Sequence, residues 1–205
     1  MRVTDAELVA RARGGDQTAF GELVDRHRTA VHRATMAALG SPAEAEDAAQ
    51  DAFVLAWRRL ATFRADASFK TWLLAIAWRQ AITRRRWIVR WWRRTVPIDD
   101  TESASPMARF AGSWNEASPE ELVGARQLEQ DIRRAIRKLS PKLRDALLLA
   151  QSGDYGYEEI ATMLGAPVGT IKWRISEARR MVRKALHERG HELTVERVAR
   201  GGQVR

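Results

Sequence analysis

The chain has 205 residues and a formal net charge of +9, from 35 Lys and Arg against 26 Asp and Glu. This length allows one or two domains, and the positive charge favours a polyanionic partner. The lack of cysteine excludes disulfides and thiolate metal sites and fits a reducing cytoplasm. The N-terminus MRVTDAELVA has no apolar signal-peptide core, and no apolar run could span a bilayer. We therefore expect a soluble, cytoplasmic protein.

The chain begins with two helices whose starts are marked by capping residues. Thr4 and Glu7 form a capping box for a short helix that ends near Arg13. Asp16 caps a second helix over about residues 17–39. These local signals predict that the chain opens as an all-helical unit.

The third helix, over about residues 43–60, has two different sides. Alanines recur along it at three- and four-residue spacing and predict a seam that a neighbouring helix can approach closely. An ordinary core helix would explain the alanine seam. It would not explain why the first half of the polar side is acidic when the chain as a whole is so basic. That side indicates a protein partner, and its residues are Glu46, Asp47, Gln50, Asp51 and Arg58.

A loop at residues 63–69 leads to a helix over about residues 70–92 that is rich in tryptophan and arginine. Six arginines fall within residues 84–94, and Trp78, Trp87, Trp91 and Trp92 cannot all be buried in so small a domain. Aromatic rings interleaved with arginines suit unstacked bases and a phosphate backbone. A helix lying on a membrane surface is the alternative.

Residues 95–118 read as a linker, because they carry prolines and acidic residues without sustained periodicity. Helix resumes at Ser118-Pro119 and continues to Leu139, while the polar tail after His187 is expected to be frayed. No metal ligand set, cofactor site or catalytic constellation is predicted. His27 and His32 lack partners at ligand spacing, and nothing near Asp99-Asp100 completes a site.

Residues 139–186 predict a helix-turn-helix. Ser140-Pro141 starts one helix, Tyr157–Leu164 forms a second, and a glycine-bearing corner at 165–169 precedes a third, over about residues 170–186. In the third helix the apolar residues from Ile171 to Ala185 share one arc, and basic and polar residues face away. A solvated basic side is the ordinary interpretation of an isolated helix. The preceding helix and turn favour a helix that reads DNA in the major groove.

The chain resembles bacterial sigma factors of the extracytoplasmic-function (ECF) type, small two-domain members of the sigma-70 family. The resemblance rests on AEDAAQDAFVLAWRRL at 45–60, FRADASFKTWLLAIAWRQAITRRR at 63–86 and YEEIATMLGAPVGTIKWRISEARR at 157–180. It implies an all-α fold with region 2 at residues 5–94, a linker at 95–118 and region 4 at 119–187. It also implies a non-enzymatic promoter-specificity subunit in the cytoplasm, with a stress-response role and no cofactor.

The resemblance further implies three contact surfaces and an anti-sigma partner. The clamp of the largest subunit of RNA polymerase would contact Glu46, Asp47, Gln50, Asp51 and Arg58. The opened strand of the −10 element would contact Phe63, Arg64, Ser68, Phe69, Lys70, Trp72, Trp78, Arg79, Arg84, Arg85 and Arg86. The −35 duplex would contact Tyr157, Thr170, Lys172, Trp173, Arg174, Ser176, Glu177, Arg179 and Arg180.

The sequence departs from the family pattern at four places. Gly156 stands where serine usually caps the helix, and Arg79 stands where asparagine is frequent. Trp173 and Glu177 replace small and basic residues of the recognition helix, so the promoter sequence is left open.

Two other classes of protein share parts of this pattern. A response-regulator type of transcription factor would need a receiver or effector domain at the N-terminus, and no aspartate-rich strand pattern occurs there. A DNA invertase or integrase would need a nucleophilic serine or tyrosine in an arginine-supported site. The only tyrosines, Tyr155 and Tyr157, lie at the helix-turn-helix.

Overall fold

The structure, a computed structural model, describes residues 3–95 and 119–191, with side chains over 3–91 and 127–191. The described residues form eight α-helices joined by turns, which confirms the all-α prediction. The helices are α1 Asp5–Arg13, α2 Gln17–Leu39, α3 Pro42–Arg59, α4 Phe69–Thr95, α5 Pro119–Lys138, α6 Pro141–Gln151, α7 Tyr157–Leu164 and α8 Val168–His187. A 3₁₀ turn, Leu60–Thr62, follows α3. Of the predicted linker, Thr95 ends α4 and residues 96–118 lie outside the described residues.

The predicted helix starts at Thr4 and Asp16 are confirmed. The Glu7 amide donates to Thr4 Oγ1 at 3.3 Å, and the Thr4 amide donates to Glu7 Oε2 at 2.7 Å. Asp16 Oδ1 accepts from the Ala19 amide at 3.0 Å. Ser41 makes no such side-chain bond, so Pro42 at the first helical position marks the start of α3.

The first half of the chain is a bundle in which α2, α3 and α4 pack against one another. The alanine seam of α3 is confirmed, since Ala45, Ala48, Ala52 and Ala56 are all buried. Small side chains at these positions let the helix axes approach closely. Trp78 of α4 is 2% exposed and belongs to the same hydrophobic core as Ala48, Ala52 and Ala56.

The second half places α6, α7 and α5 against α8. Gly165 ends α7 at φ +60°, and this left-handed conformation, which glycine adopts without strain, turns the chain into α8. The prediction of a frayed tail is wrong for residues 188–191. Arg189 and His191 both bind the buried Asp131 carboxylate of α5, so this segment is fixed to the domain.

The two halves contact each other directly, α7 packing on α4 and α6 on α2. Buried side chains from both halves form one continuous hydrophobic cluster, which includes Leu74 and Trp78 from the first half and Leu149 and Ile160 from the second. No helix in the described parts of the chain is both long and apolar enough to cross a membrane.

Candidate functional site

The polar side of α3 presents all five of its predicted contact residues to solvent. Glu46, Asp47, Gln50, Asp51 and Arg58 are exposed. A sixth residue of this surface, Val54, was not predicted from the sequence; its side chain lies among the other five and is 52% exposed. Its position three residues after Asp51 and four before Arg58 was the available signal.

Arg84 of α4 is held by the acidic residues of α3. It donates to Glu44 and, at 2.6 Å, to Asp47, and its guanidinium lies 3.8 Å from Asp51. These interactions, with the hydrogen bond to Glu44 the strongest, raise the pKa of the Arg84 side chain. Arg84 therefore joins α4 to α3 in this conformation, although the sequence analysis assigns it to DNA.

The loop between α3 and α4 is supported by an aromatic cluster. The ring centroids of Phe63, Phe69 and Trp72 lie 5.3–5.8 Å apart. Arg13 of α1, which the sequence analysis missed, donates to the Phe63 and Leu60 carbonyl groups and lies over the Phe63 ring. The cluster thus fixes the base of the loop.

The outer part of this loop is exposed, and it contains a helix cap and one residue in the left-handed conformation. Ser68 Oγ accepts from the Thr71 amide at 3.1 Å and so caps α4. Ala65 adopts φ +60°, a left-handed conformation that is costly for a residue with a Cβ atom. Arg64 projects from the same exposed segment.

The structure corrects the prediction for three aromatic residues. Phe63 and Phe69 are 9% and 4% exposed, and Trp78 is 2% exposed, so none presents a ring to a base in this conformation. The Trp78 indole N–H has no hydrogen-bond partner among the described residues, which is a cost because buried indole donors are usually paired. The signal for its burial was local, because Leu74 and Ile82 lie one turn away on either side.

The exposed face of α4 carries the aromatic and basic residues that the sequence analysis expects on a nucleic-acid surface. Arg79 and Arg86 are exposed, and Trp87 and Trp91 are 59% and 48% exposed. Trp87 lies nine residues from Trp78, which places the two rings on opposite sides of the helix. The arginine-rich helix thus divides into a buried side and a solvent side.

Three consecutive arginines of α4 point in three directions. Arg84 binds α3, as described above. Arg85 is 7% exposed and donates to the Ala38 carbonyl group at 3.3 Å and to Asp145 of α6 at 2.7 Å. Arg86 faces solvent. Of these three, Arg86 is the one presented to an external ligand in this conformation.

The helix-turn-helix exposes a compact group of predicted DNA contacts. Trp173 is 62% exposed and Tyr157 is 44% exposed, and Lys172 Nζ lies 5.7 Å from the Tyr157 ring centroid. Ser176, Arg179 and Arg180 are also exposed. Thr170 and Arg174 are half-buried at the edge of the same surface. These side chains surround the first turns of α8, the part of a recognition helix that meets base edges.

Glu177 is paired with Arg180 on this surface. Arg180 Nε and Nη2 donate to the two carboxylate oxygens of Glu177 at 2.8 and 2.6 Å. The hydrogen bonds lower the pKa of Glu177 and raise that of Arg180. Both side chains therefore hold full opposite charges at neutral pH. Among the described residues, no group of three His, Cys, Asp or Glu is placed to hold a metal ion.

Comparisons with known proteins identify both halves of the chain. The Sigma-70 region 2 model matches residues 23–94, and the Sigma-70 region 4 model matches residues 129–182. The ECF RNA polymerase sigma-E factor of Escherichia coli K12 is 36% identical over 183 residues, 88% of this chain and 93% of that protein. The chain belongs to the ECF sigma factors. The RNA polymerase sigma-H factor of Pseudomonas aeruginosa is 35% identical over 185 residues, 89% of this chain and 93% of that protein.

Two solved structures share the fold of this one. CnrH, solved in complex with the cytosolic domain of CnrY, superposes with a TM-score of 0.58 at 26% identity, over 90% of this chain and 97% of that chain. The sigma factor RpoE of Bartonella quintana, solved with the anti-sigma factor NepR, gives a TM-score of 0.56 at 23% identity, over 82% and 96% of the two chains. The sigma factor described here directs promoter-specific initiation with the RNA polymerase core enzyme, which confirms the predicted function.

Proposed function

We propose that this sigma factor uses its three exposed surfaces for three separate contacts: core polymerase, the opened −10 strand and the −35 duplex. The observation that supports this division is the distribution of charge and aromatic side chains. The exposed side of α3 is mainly acidic around Val54, whereas α4 and α8 expose arginines beside tryptophans. An acidic surface repels DNA, and a basic aromatic surface attracts it.

In this proposal, region 2 covers residues 5–94, the linker residues 95–118 and region 4 residues 119–187. Core polymerase contacts α3 through Asp47, Gln50, Asp51 and Arg58 with Val54 at the centre, and Glu46 lies at the edge. An apolar centre within a polar rim is the usual arrangement of a protein interface.

The −10 strand contacts the α3–α4 loop and the solvent side of α4. Arg64, Ser68, Lys70, Trp72, Arg79 and Arg86 are the proposed direct contacts. Phe63 and Phe69 support the loop from beneath, and Arg84 fixes α4 to α3. Base–aromatic stacking is worth about 1–3 kcal/mol per base, which offsets part of the cost of opening the duplex.

The −35 duplex contacts the exposed side chains of α7 and α8. Trp173 packs against thymine methyl groups, and Tyr157, Lys172 and Arg179 bind phosphates, while Arg180 is held by Glu177. The indole has a single donor, so it cannot make the bidentate contact by which arginine reads guanine. Thr170, Arg174, Ser176 and Glu177 complete the proposed surface.

The polymerase performs the chemistry in this proposal, and the sigma factor has no catalytic residue. It acts in the cytoplasm, where an anti-sigma protein holds it inactive until a signal arrives. The support for that partner is the likeness to CnrH, which was solved with the cytosolic domain of CnrY.

Run-off transcription with purified core polymerase tests the proposed function. A promoter selected from a library randomised at both elements should give a defined transcript only when this protein is added. For the α3 surface, the double substitution Asp51→Lys with Arg58→Glu should abolish co-purification with core and leave the helical circular dichroism unchanged. Undiminished core binding by the folded variant would remove the α3 assignment.

A further inference from the structure

Arg13, the last residue of α1, holds the backbone at the start of the α3–α4 loop. Its Nε donates to the Leu60 carbonyl group at 3.2 Å, and its Nη2 donates to the Phe63 carbonyl group. The Phe63 carbonyl group follows the end of the 3₁₀ turn, so the turn itself provides no amide to bind it. The guanidinium carbon also lies 5.8 Å from the Phe63 ring centroid. A single planar group therefore fixes the direction in which the chain leaves α3.

The N-terminal end of α1 is connected to the other end of the same loop through His27. Asp5 Oδ2 lies 2.6 Å from His27 Nε2, and Asp5 Oδ1 accepts from Arg26 Nη1 at 3.0 Å. The His27 ring packs against Phe69, with 5.7 Å between the ring centroids. The His27 side chain is only 13% exposed, so this contact lies beneath the surface. Helix α1 thus supports both Phe63 and Phe69, the residues at which the loop begins and ends.

The loop contains a conformation that a free segment would rarely adopt. Ala65 has φ +60°, in the left-handed region that a Cβ atom makes costly. Such a conformation persists where the surrounding contacts determine it. Residues 64–66 are exposed, so packing of their own side chains contributes little. The conformation at Ala65 therefore depends on how the chain is held on either side of it, and Arg13 holds the carbonyl group two residues earlier.

We propose that α1 sets the conformation in which the α3–α4 loop receives the −10 strand, and that Arg13 is the positioning residue. The inference rests on the proposed contact between this loop and the −10 strand. It adds a residue that lies outside residues 23–94, the segment matched by the region 2 model. Arg13 acts through the loop backbone and not through DNA. Because Arg13 is exposed, its substitution leaves no buried cavity, and the domain should stay folded.

A direct contact with a DNA phosphate is the alternative role for an exposed cation beside this loop. The two roles respond differently to lysine. A lysine at position 13 keeps the charge and can still bind a phosphate, but its ammonium group cannot reproduce a planar fork over two carbonyl groups and an aromatic ring. Arg13→Lys should therefore behave like Arg13→Ala if the residue positions the loop, and like the wild type if it binds DNA.

Arg11 provides the matched control on the same helix. It is exposed like Arg13, but its Nε and Nη2 both donate to Asp16, the residue that caps α2, at 3.0 and 2.7 Å. Arg11→Lys and Arg11→Ala make the same changes of charge and size two residues away. An effect of charge on the general attraction to DNA would therefore appear at both positions.

Amide hydrogen exchange, measured by mass spectrometry on the full chain, tests the support of the loop without DNA. Exchange over residues 63–69 should become faster in both variants of Arg13 and remain as in the wild type in both variants of Arg11. Exchange in α8 should stay unchanged in all four proteins, which checks that the fold is intact. Unchanged exchange over the loop in the Arg13 variants would overturn the proposal.

The consequence for DNA is measured with holoenzyme assembled from core polymerase and each variant. One fluorescein-labelled single strand carries the −10 sequence of the promoter selected by run-off transcription, and a second carries the same bases in scrambled order. Both Arg13 variants should bind the selected strand about tenfold more weakly and the scrambled strand within about twofold of the wild type, as expected if the productive loop conformation falls to about one molecule in ten. Both Arg11 variants should keep the wild-type preference.

The other results would overturn the proposal in distinguishable ways. Wild-type affinity in Arg13→Lys with weaker binding in Arg13→Ala would identify a phosphate contact. Equal losses at Arg11 and Arg13 would show that the effect belongs to charge. A wild type that does not prefer the selected strand would contradict the proposed −10 contact and this inference with it, whereas a wild-type preference that survives in both Arg13 variants would remove the role of Arg13 alone.

Discussion

Arg180 donates two hydrogen bonds to Glu177 on the exposed side of the recognition helix. A glutamate committed to this pair is restrained from accepting a hydrogen bond from a cytosine amino group. The same pair keeps Arg180 from binding a DNA phosphate. The side chain at position 177 therefore affects both the sequence specificity and the affinity of −35 DNA binding.

Glu177→Gln should tighten binding to −35 duplex DNA because it releases Arg180 to a phosphate. The slope of log affinity against log salt should become steeper by about one. Fluorescence anisotropy over a salt series measures this slope. Glu188→Gln removes the same charge beyond the end of α8 and should leave the slope unchanged; equal slopes in the two variants would exclude release of Arg180.

Trp173→Ala should weaken −35 binding and change the preferred sequence, because an apolar contact with thymine methyl groups is lost. Its side chain is 62% exposed, so the melting temperature should stay within about 2 °C. Selection from a library randomised at the −35 element checks the preference. Met181→Ala, 37% exposed on the same helix, is the control. An unchanged selected motif would mean that the indole does not contact bases.

Val54→Ser should weaken binding to core polymerase by about 1 kcal/mol or more, because the apolar centre of the α3 surface is lost. The residue is 52% exposed, so folding should be unaffected. Competition against labelled wild-type protein for core measures the change. Val3→Ser, at an exposed valine outside α3, supplies the comparison, and equal affinities of both variants would place the polymerase contact elsewhere.

Trp78→Ala should destabilise the fold by about 3–5 kcal/mol in urea unfolding, because it leaves a cavity in the core. Trp78→Phe should cost less, since the indole N–H that it removes has no partner within the described parts of the chain. The exposed Trp87→Ala should change stability by less than about 0.5 kcal/mol. Similar losses at both tryptophans would contradict the burial of Trp78.

Asp131 should make the fold sensitive to acid. Hydrogen bonds from His191, Gln127 and Arg189 hold the pKa of this carboxyl at about 2 in the folded protein, against an ordinary value of 3.8. A carboxyl group whose pKa is lowered by folding stabilises the folded protein at pH values above its ordinary pKa. This contribution is lost as the pH falls from about 4 towards 2.

Thermal melts of wild type and Asp131→Asn over this pH range test the linkage. The wild type should be the more stable protein at neutral pH, and the difference should shrink as the carboxylate is protonated. Glu129→Gln, on the same helix, should show a much smaller dependence. A constant difference across the range would show that Asp131 acts through packing alone.

Local signals in the sequence were sufficient to predict the helices. Thr4 and Asp16 accept hydrogen bonds from amides three residues away, and the alanines of α3 follow the helical repeat. Residues close in the sequence therefore determine both the helix starts and the alanine seam. Which side chains of α4 are buried depends on helices from both halves of the chain. Arg85 meets Asp145 sixty residues later, and no local pattern distinguishes this arginine from the exposed Arg86 beside it.

Arg84, Arg85 and Arg86 point in three different directions, so their surroundings depend on how α4 is rotated about its own axis. Each residue added to a helix rotates everything beyond it by about 100°. Inserting one alanine after Arg79 would turn Arg84 towards the position that Arg85 holds and Arg85 towards solvent, with the net charge preserved. The three identical side chains are thus not interchangeable, and counting arginines in a relative would not establish that its α4 serves the same neighbours.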